Sequence, residues 1–127
     1  MRVFKSKEFA RFTRKNRIAD DELCRAIAEI HEGAIDADLG GGVFKQRLRR
    51  AGQGKSGGFR TIILLRLNSL ALFVFGFAKS DKANVSPVEL MVWRKIAKDI
   101  LTDPARLVFA IDEGKLTEVI CHEPAIS

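Results

Sequence analysis

Between residues 39 and 80 the chain carries eight basic side chains, Lys45, Arg47, Arg49, Arg50, Lys55, Arg60, Arg66 and Lys79, and no aspartate or glutamate. Arginine grips phosphate oxygens with paired donors, and each cation set on a phosphate releases condensed counterions. A solvated surface ordinarily mixes signs, so an acid-free stretch of 42 residues points to a polyanion partner. The alternative is a basic strand pair that neutralises acids elsewhere in the fold. The flanks do not share the bias. Residues 1–38 hold eight basic and eight acidic side chains, and residues 81–127 hold six and eight. The whole excess of +6 therefore sits in the middle third.

Other chemistries find little support. His31 and His122 stand alone and read as surface or capping residues, and no Ser, His and Asp are arranged as a nucleophilic relay. Gly54-Lys55-Ser56 invites a phosphate-loop reading, but the motif requires glycine where Arg49 stands, and no helix signal follows Ser56. Cys24 and Cys121 are far apart and outside any zinc-ligand spacing, so no metal is expected and reduced thiols in a cytoplasmic setting are the simplest reading. No apolar run approaches the ~20 residues of a membrane span, and the start lacks the apolar core of a secretory signal. An enzyme built on this chain works with lysine and arginine.

The elements that must hold these cations can be read from periodicity and caps. The 127 residues, 46% apolar and 30% charged, suit one globular domain spanning 1–127. Met1 to Lys5 alternates as a short strand, and Ser6 caps a helix whose apolar face carries Phe9 and Phe12. Asp20 or Asp21 caps a second helix with Leu23, Ala26, Ile27 and Ile30 on one face, stopped by Gly33. The two helices are expected to form an antiparallel pair. After Gly40-Gly41-Gly42 come three strands, Val43 to Arg50, Phe59 to Leu67 and Leu70 to Lys79, joined by the loop AGQGKSGG and by a tight Asn68-Ser69 turn. Ser86-Pro87-Val88-Glu89 opens a long helix and Asp103-Pro104 a shorter one ending near Gly114. Lys115 to Cys121 is a candidate edge strand. The fold class is α+β: a small twisted antiparallel sheet of about four strands, against an N-terminal helical hairpin and one or two C-terminal helices.

On the first meander strand, Lys45, Arg47 and Arg49 share one face while Phe44 and Leu48 point to the core. Pairing through the glycine-rich loop brings Arg60 near this row. Lys79 is in phase with Phe73, Phe75 and Phe77, so some of these rings are expected beside the cations, where they can stack a base. Phe73 reads as core.

The stretch GGGVFKQRLRRAGQGKSGGFRTIILLR, followed by LFVFGFAKSDKANVS, resembles the phage-associated, HigB-like branch of the RelE/ParE toxin superfamily. The resemblance spans nearly the whole chain and is most specific at Lys45 and Arg47, at the GKSGGFR string ending in Arg60, and at FGFAKSDKAN with Lys79 and Lys82. It implies a small antiparallel sheet flanked by helices, inhibition of translation by cutting mRNA in the ribosomal A site, and a helix-turn-helix antitoxin as partner. Some relatives set a tyrosine or histidine near the scissile phosphate. This chain has no tyrosine and no histidine in that region. Relatives of the ParE type keep the fold and act on DNA gyrase. A protein-binding gyrase inhibitor and a non-catalytic RNA-binding accessory protein are therefore the competing readings, and the acid-free segment favours RNA.

Cleaving RNA without a metal requires a base for the 2′-hydroxyl, stabilisation of the phosphorane, and an acid for the leaving 5′-oxygen. Arg60 is the candidate stabiliser, because arginine keeps its charge and offers two donors to a nonbridging oxygen. Lys79 is the candidate acid or base, since crowded cations weaken one another's hold on a proton. Lys45, Arg47, Arg49, Arg50, Lys55 and Lys82 are assigned to contacts with substrate or ribosomal RNA.

Overall fold

The computed structural model describes residues 1–48, 58–66, 68–78 and 85–121. Strand β1 (Arg2–Ser6) runs straight into helix α1 (Lys7–Asn16). Ser6 makes the transition, its Oγ accepting the Phe9 N–H at 3.1 Å. Helix α2 (Asp20–His31) departs from expectation at its start: Ala19 is the N-cap and no side chain caps it. Asp20 is engaged elsewhere, accepting from Lys5 Nζ at 2.9 Å and from the Ile120 N–H at 3.2 Å. The helix stops as predicted at Gly33, whose φ of 89° suits a residue without Cβ and whose N–H returns to the Ile30 carbonyl.

The sheet is larger than expected and not purely antiparallel. After the two-residue strand β2 (Ala37–Asp38) come β3 (Val43–Leu48), β4 (Phe59–Arg66) and β5 (Leu70–Ala78). Helices α3 (Pro87–Thr102) and α4 (Pro104–Asp112) follow, and β6 (Leu116–Glu118) closes the order. The six strands lie in the order β2-β3-β4-β5-β1-β6. Neighbours pair antiparallel except β1, which is parallel to β5, with Arg2 opposite Leu70 and Lys5 opposite Phe73. Parallel pairing follows from the two helices between β1 and the meander, which supply the long crossover such a pair needs. A strand of two residues ahead of a glycine triplet has no periodicity to betray it.

Helices cover both faces. On one side α1 sits mainly on β5 and α2 on β3, burying Phe9, Leu23, Ile27, Phe44, Leu48, Ile63 and Phe73. The expected antiparallel hairpin is thus two helices each seated on the sheet. On the other side α3 and α4 bury Phe4, Val43, Ile62, Leu64, Leu72, Ala97 and Leu101. Covering from both sides explains why β4 is buried at seven of its eight positions, with Ile62 to Leu65 a continuous apolar run and Arg60 and Thr61 buried beside it. The caps of the last helices are those the sequence predicts. Ser86 and Glu89 form a reciprocal capping box, and Asp103 accepts the Ala105 N–H at 3.0 Å. Among the described residues no helix is long and apolar enough to cross a membrane.

Two further corrections concern phase and thiols. A bulge in β5 sets Ile62 opposite Phe75 and Ile63 opposite Phe73, leaving Val74 extra. Phe73 therefore faces α1 and α2, while Phe75 and Phe77 face the opposite side, so the three rings do not share one phase. Gly76 lies directly under the Phe12 ring, where a Cβ would overlap it. Cys24 and Cys121, expected as separate thiols, form a disulfide. The segment after β6 is tied back by Val119 N–H to the Val3 carbonyl and by Ile120 N–H to Asp20, which carries Cys121 to α2.

Candidate nucleic-acid interface

The β3–β4 register decides how the cations meet. Arg47 is directly opposite Arg60, Lys45 is opposite Ile62, and on the far side of β4 Arg60 is opposite Phe77. Lys45, Arg47 and Arg60 therefore lie on one side of the sheet by strand alternation, the side of Val43, Ile62 and Phe77. Phe44 and Leu48 point into the α1/α2 core, as expected. Lys45 and Arg47 are half-buried and, among the described residues, have no ion-pair partner. Arg47 also borders α2, lining a groove with Glu22, Arg25 and Glu29.

Arg60 differs from the free cation expected of it. It is only 7% exposed, and its Nε lies 3.5 Å from Asp36 Oδ2. Its Nη1 is buried and, among the described residues, makes no hydrogen bond. The carboxylate comes from three residues before the acid-free stretch begins, which is why counting charge within that stretch does not reveal it. Asp36 is held in turn by Gln46. The Gln46 Oε1 accepts the Asp36 N–H at 3.0 Å, and its Nε2 donates to the Ala34 carbonyl at 2.8 Å. Gln46 is 2% exposed, a buried amide with both ends satisfied. Its signal in the sequence is a polar residue between Phe44 and Leu48, in core phase on β3.

A groove of about 510 Å³ opens beside this network, lined by Glu29, Glu32, Ala34, Ile35, Asp36, Gln46 and Arg47. On the other side of Arg60, Phe77 and Phe75 stand 5.9 Å apart, and Phe75 is 6.2 Å from the Trp93 ring of α3. Trp93 reads from the sequence only as a lining residue of its helix. The structure makes it the end of an aromatic row that begins next to the buried guanidinium. The expectation that rings beside the cations can stack a base is not met at Arg60: Phe77 is 6% exposed and belongs to the core under α3 and α4, with Phe75 packed against it. Lys79, Arg49, Arg50, Lys55 and Lys82 lie outside the described residues.

The family model described as the RelE toxin of the RelE/RelB toxin–antitoxin system matches residues 1–119. The chain belongs to the RelE toxin family. It is thus the toxin of a toxin–antitoxin system, whose members pair with antitoxins, and the match covers every strand and helix described above. No curated protein matches the toxin.

Proposed function

We propose that this toxin is a ribosome-dependent endoribonuclease that cuts mRNA in the A site and stops translation. The observation that carries the reading is the register of Arg47 against Arg60 on two acid-free strands of a RelE-family chain. In the proposed reaction the 2′-oxygen attacks phosphorus as its proton passes to a base. The bond from phosphorus to the 5′-oxygen then breaks, and that oxygen takes a proton from an acid. The products carry a 2′,3′-cyclic phosphate and a free 5′-hydroxyl. Arg60 stabilises the charge that builds on the nonbridging oxygens, and Lys79 serves as acid or base. Lys45, Arg47, Arg49, Arg50, Lys55 and Lys82 hold substrate or ribosomal RNA. Positioning on an ordered ribosome supplies much of the rate, in keeping with a chain that offers no tyrosine. The toxin acts in the cytoplasm, where its substrate is, and its antitoxin is a helix-turn-helix protein encoded beside it.

Controlled induction with labelled methionine and thymidine, followed by mapping of transcript ends, tests this. Methionine incorporation is expected to fall first, with new transcript ends inside reading frames. Arg60→Ala is expected to lower cleavage by on the order of 10²–10³. Thymidine incorporation failing first would replace this reading with gyrase inhibition, and steeply salt-dependent RNA binding with intact transcripts would replace it with a non-catalytic role.

A further inference from the structure

We infer that Asp36 is a positioning residue for Arg60, fixing which edge of its guanidinium faces the phosphate; the inference rests on the ribonuclease reading above. A guanidinium presents its donors along distinct edges, and a long side chain alone does not choose among them. Here the Nε edge faces the Asp36 carboxylate at 3.5 Å, while the buried Nη1 has no partner among the described residues. That separation exceeds the ~2.7–2.9 Å of a tight charge-assisted bond. Asp36 thus compensates the charge at the Nε edge, and because Nη1 is enclosed by protein, Nη2 is the terminal donor left for a nonbridging oxygen.

The carboxylate is itself anchored to the strands that carry the arginines. Gln46, between Lys45 and Arg47 on β3, clasps the 34–36 segment through the Asp36 N–H and the Ala34 carbonyl. The Gln46 carbonyl accepts from Thr61 Oγ1 at 3.0 Å, and Thr61 follows Arg60 on β4. Loop, β3 and β4 are therefore fastened at one point. The arrangement also answers a local conflict. Arg47 and Arg60 are cross-strand neighbours of like charge, which drives them apart, and neither strand offers an acid. Asp36 supplies the missing negative charge from outside and does so on one side only, which orients the pair.

The test uses the purified toxin on ribosomes programmed with a defined transcript, with cleavage followed against ribosome concentration. Asp36→Ala is expected to lower the rate at saturating ribosomes about tenfold, a fraction of the loss from removing Arg60 itself. The half-saturating ribosome concentration is expected to stay within about twofold, because the RNA-holding cations are untouched. Asp36→Asn, equal in size but uncharged, should fall between parent and alanine. In an Arg60→Lys background, which has no Nε edge to hold, Asp36→Ala should cost nothing further. The 15N–1H signal of the Arg60 Nε should be sharp in the parent and lost to exchange in Asp36→Ala. Parental cleavage by Asp36→Ala, an effect on half-saturation alone, or the same loss in the Arg60→Lys background overturns the positioning role by itself. A parent toxin that leaves the transcript whole overturns the ribonuclease reading and the role together.

Discussion

Replacing Arg60 with methionine separates what this residue does for the fold from the part in RNA cleavage proposed for it. Methionine follows the arginine stem, and its thioether tolerates an irregular pocket. The change removes a buried donor, Nη1, that has no partner among the described residues, a defect that costs about 1–3 kcal/mol. It also removes the ion pair with Asp36, whose side chains are 9% and 22% exposed, and a pair that dry is near break-even once desolvation is counted. Asp36 is the more exposed partner and can be rehydrated, so little is lost on its side. The repulsion from Arg47 across the strands disappears as well. The net expectation is a gain of about 1 kcal/mol, which for a chain of 127 residues raises Tm by about 4 °C. Cleavage should fall by on the order of 10²–10³ in the same variant. Thermal unfolding beside a ribosome cleavage assay reads both. A Tm lowered by about 8 °C or more would mean that the Asp36–Arg60 pair holds the sheet together and that the cost assigned to the orphaned donor is wrong.

Three further outcomes concern the scaffold. The disulfide Cys24–Cys121 spans 97 residues of sequence, and closing a loop of that length restricts the unfolded chain by about 4.7 kcal/mol. Reduction, or the Cys24→Ser/Cys121→Ser pair, should lower Tm by roughly 15 °C, and equal melting curves with and without reductant would refute it. Gly76→Ala pushes a Cβ into the Phe12 ring, which is wedged between Phe9 and Phe59 at 5.6 and 5.3 Å. A loss of about 1–3 kcal/mol is expected in urea unfolding. Ser86→Ala removes one arm of the α3 capping box and should cost about 1 kcal/mol by the same measurement.

Local signals in this chain proved legible wherever they were self-contained. Ser6, the Ser86–Glu89 box and Asp103-Pro104 each open the helix predicted of them, because a cap is decided within four residues. The meander strands and the approach of Arg60 to Arg47 follow from alternation and from one hairpin. What the sequence hides depends on distant partners. Asp20 looks like a cap, but Lys5 and Ile120 claim its carboxylate. The extra residue Val74 reverses the phase of Phe73 relative to Phe75, and strict alternation across β5 cannot anticipate it. At the site, the cations were readable and their burial was not. Whether a charge is free is a property of the neighbouring loop, and Asp36 enters from outside the segment whose composition draws attention.

The place of β1 between β5 and β6 bears on how a cell can make this protein at all. The strand synthesised first finds its two neighbours only after Leu70–Ala78 and Leu116–Glu118 have emerged, with Phe4 waiting for Glu118. Pairings of such long sequence separation form late. The first strand therefore stays without its neighbours through most of synthesis, and the β5 side of the sheet is completed only when the last strand can join it.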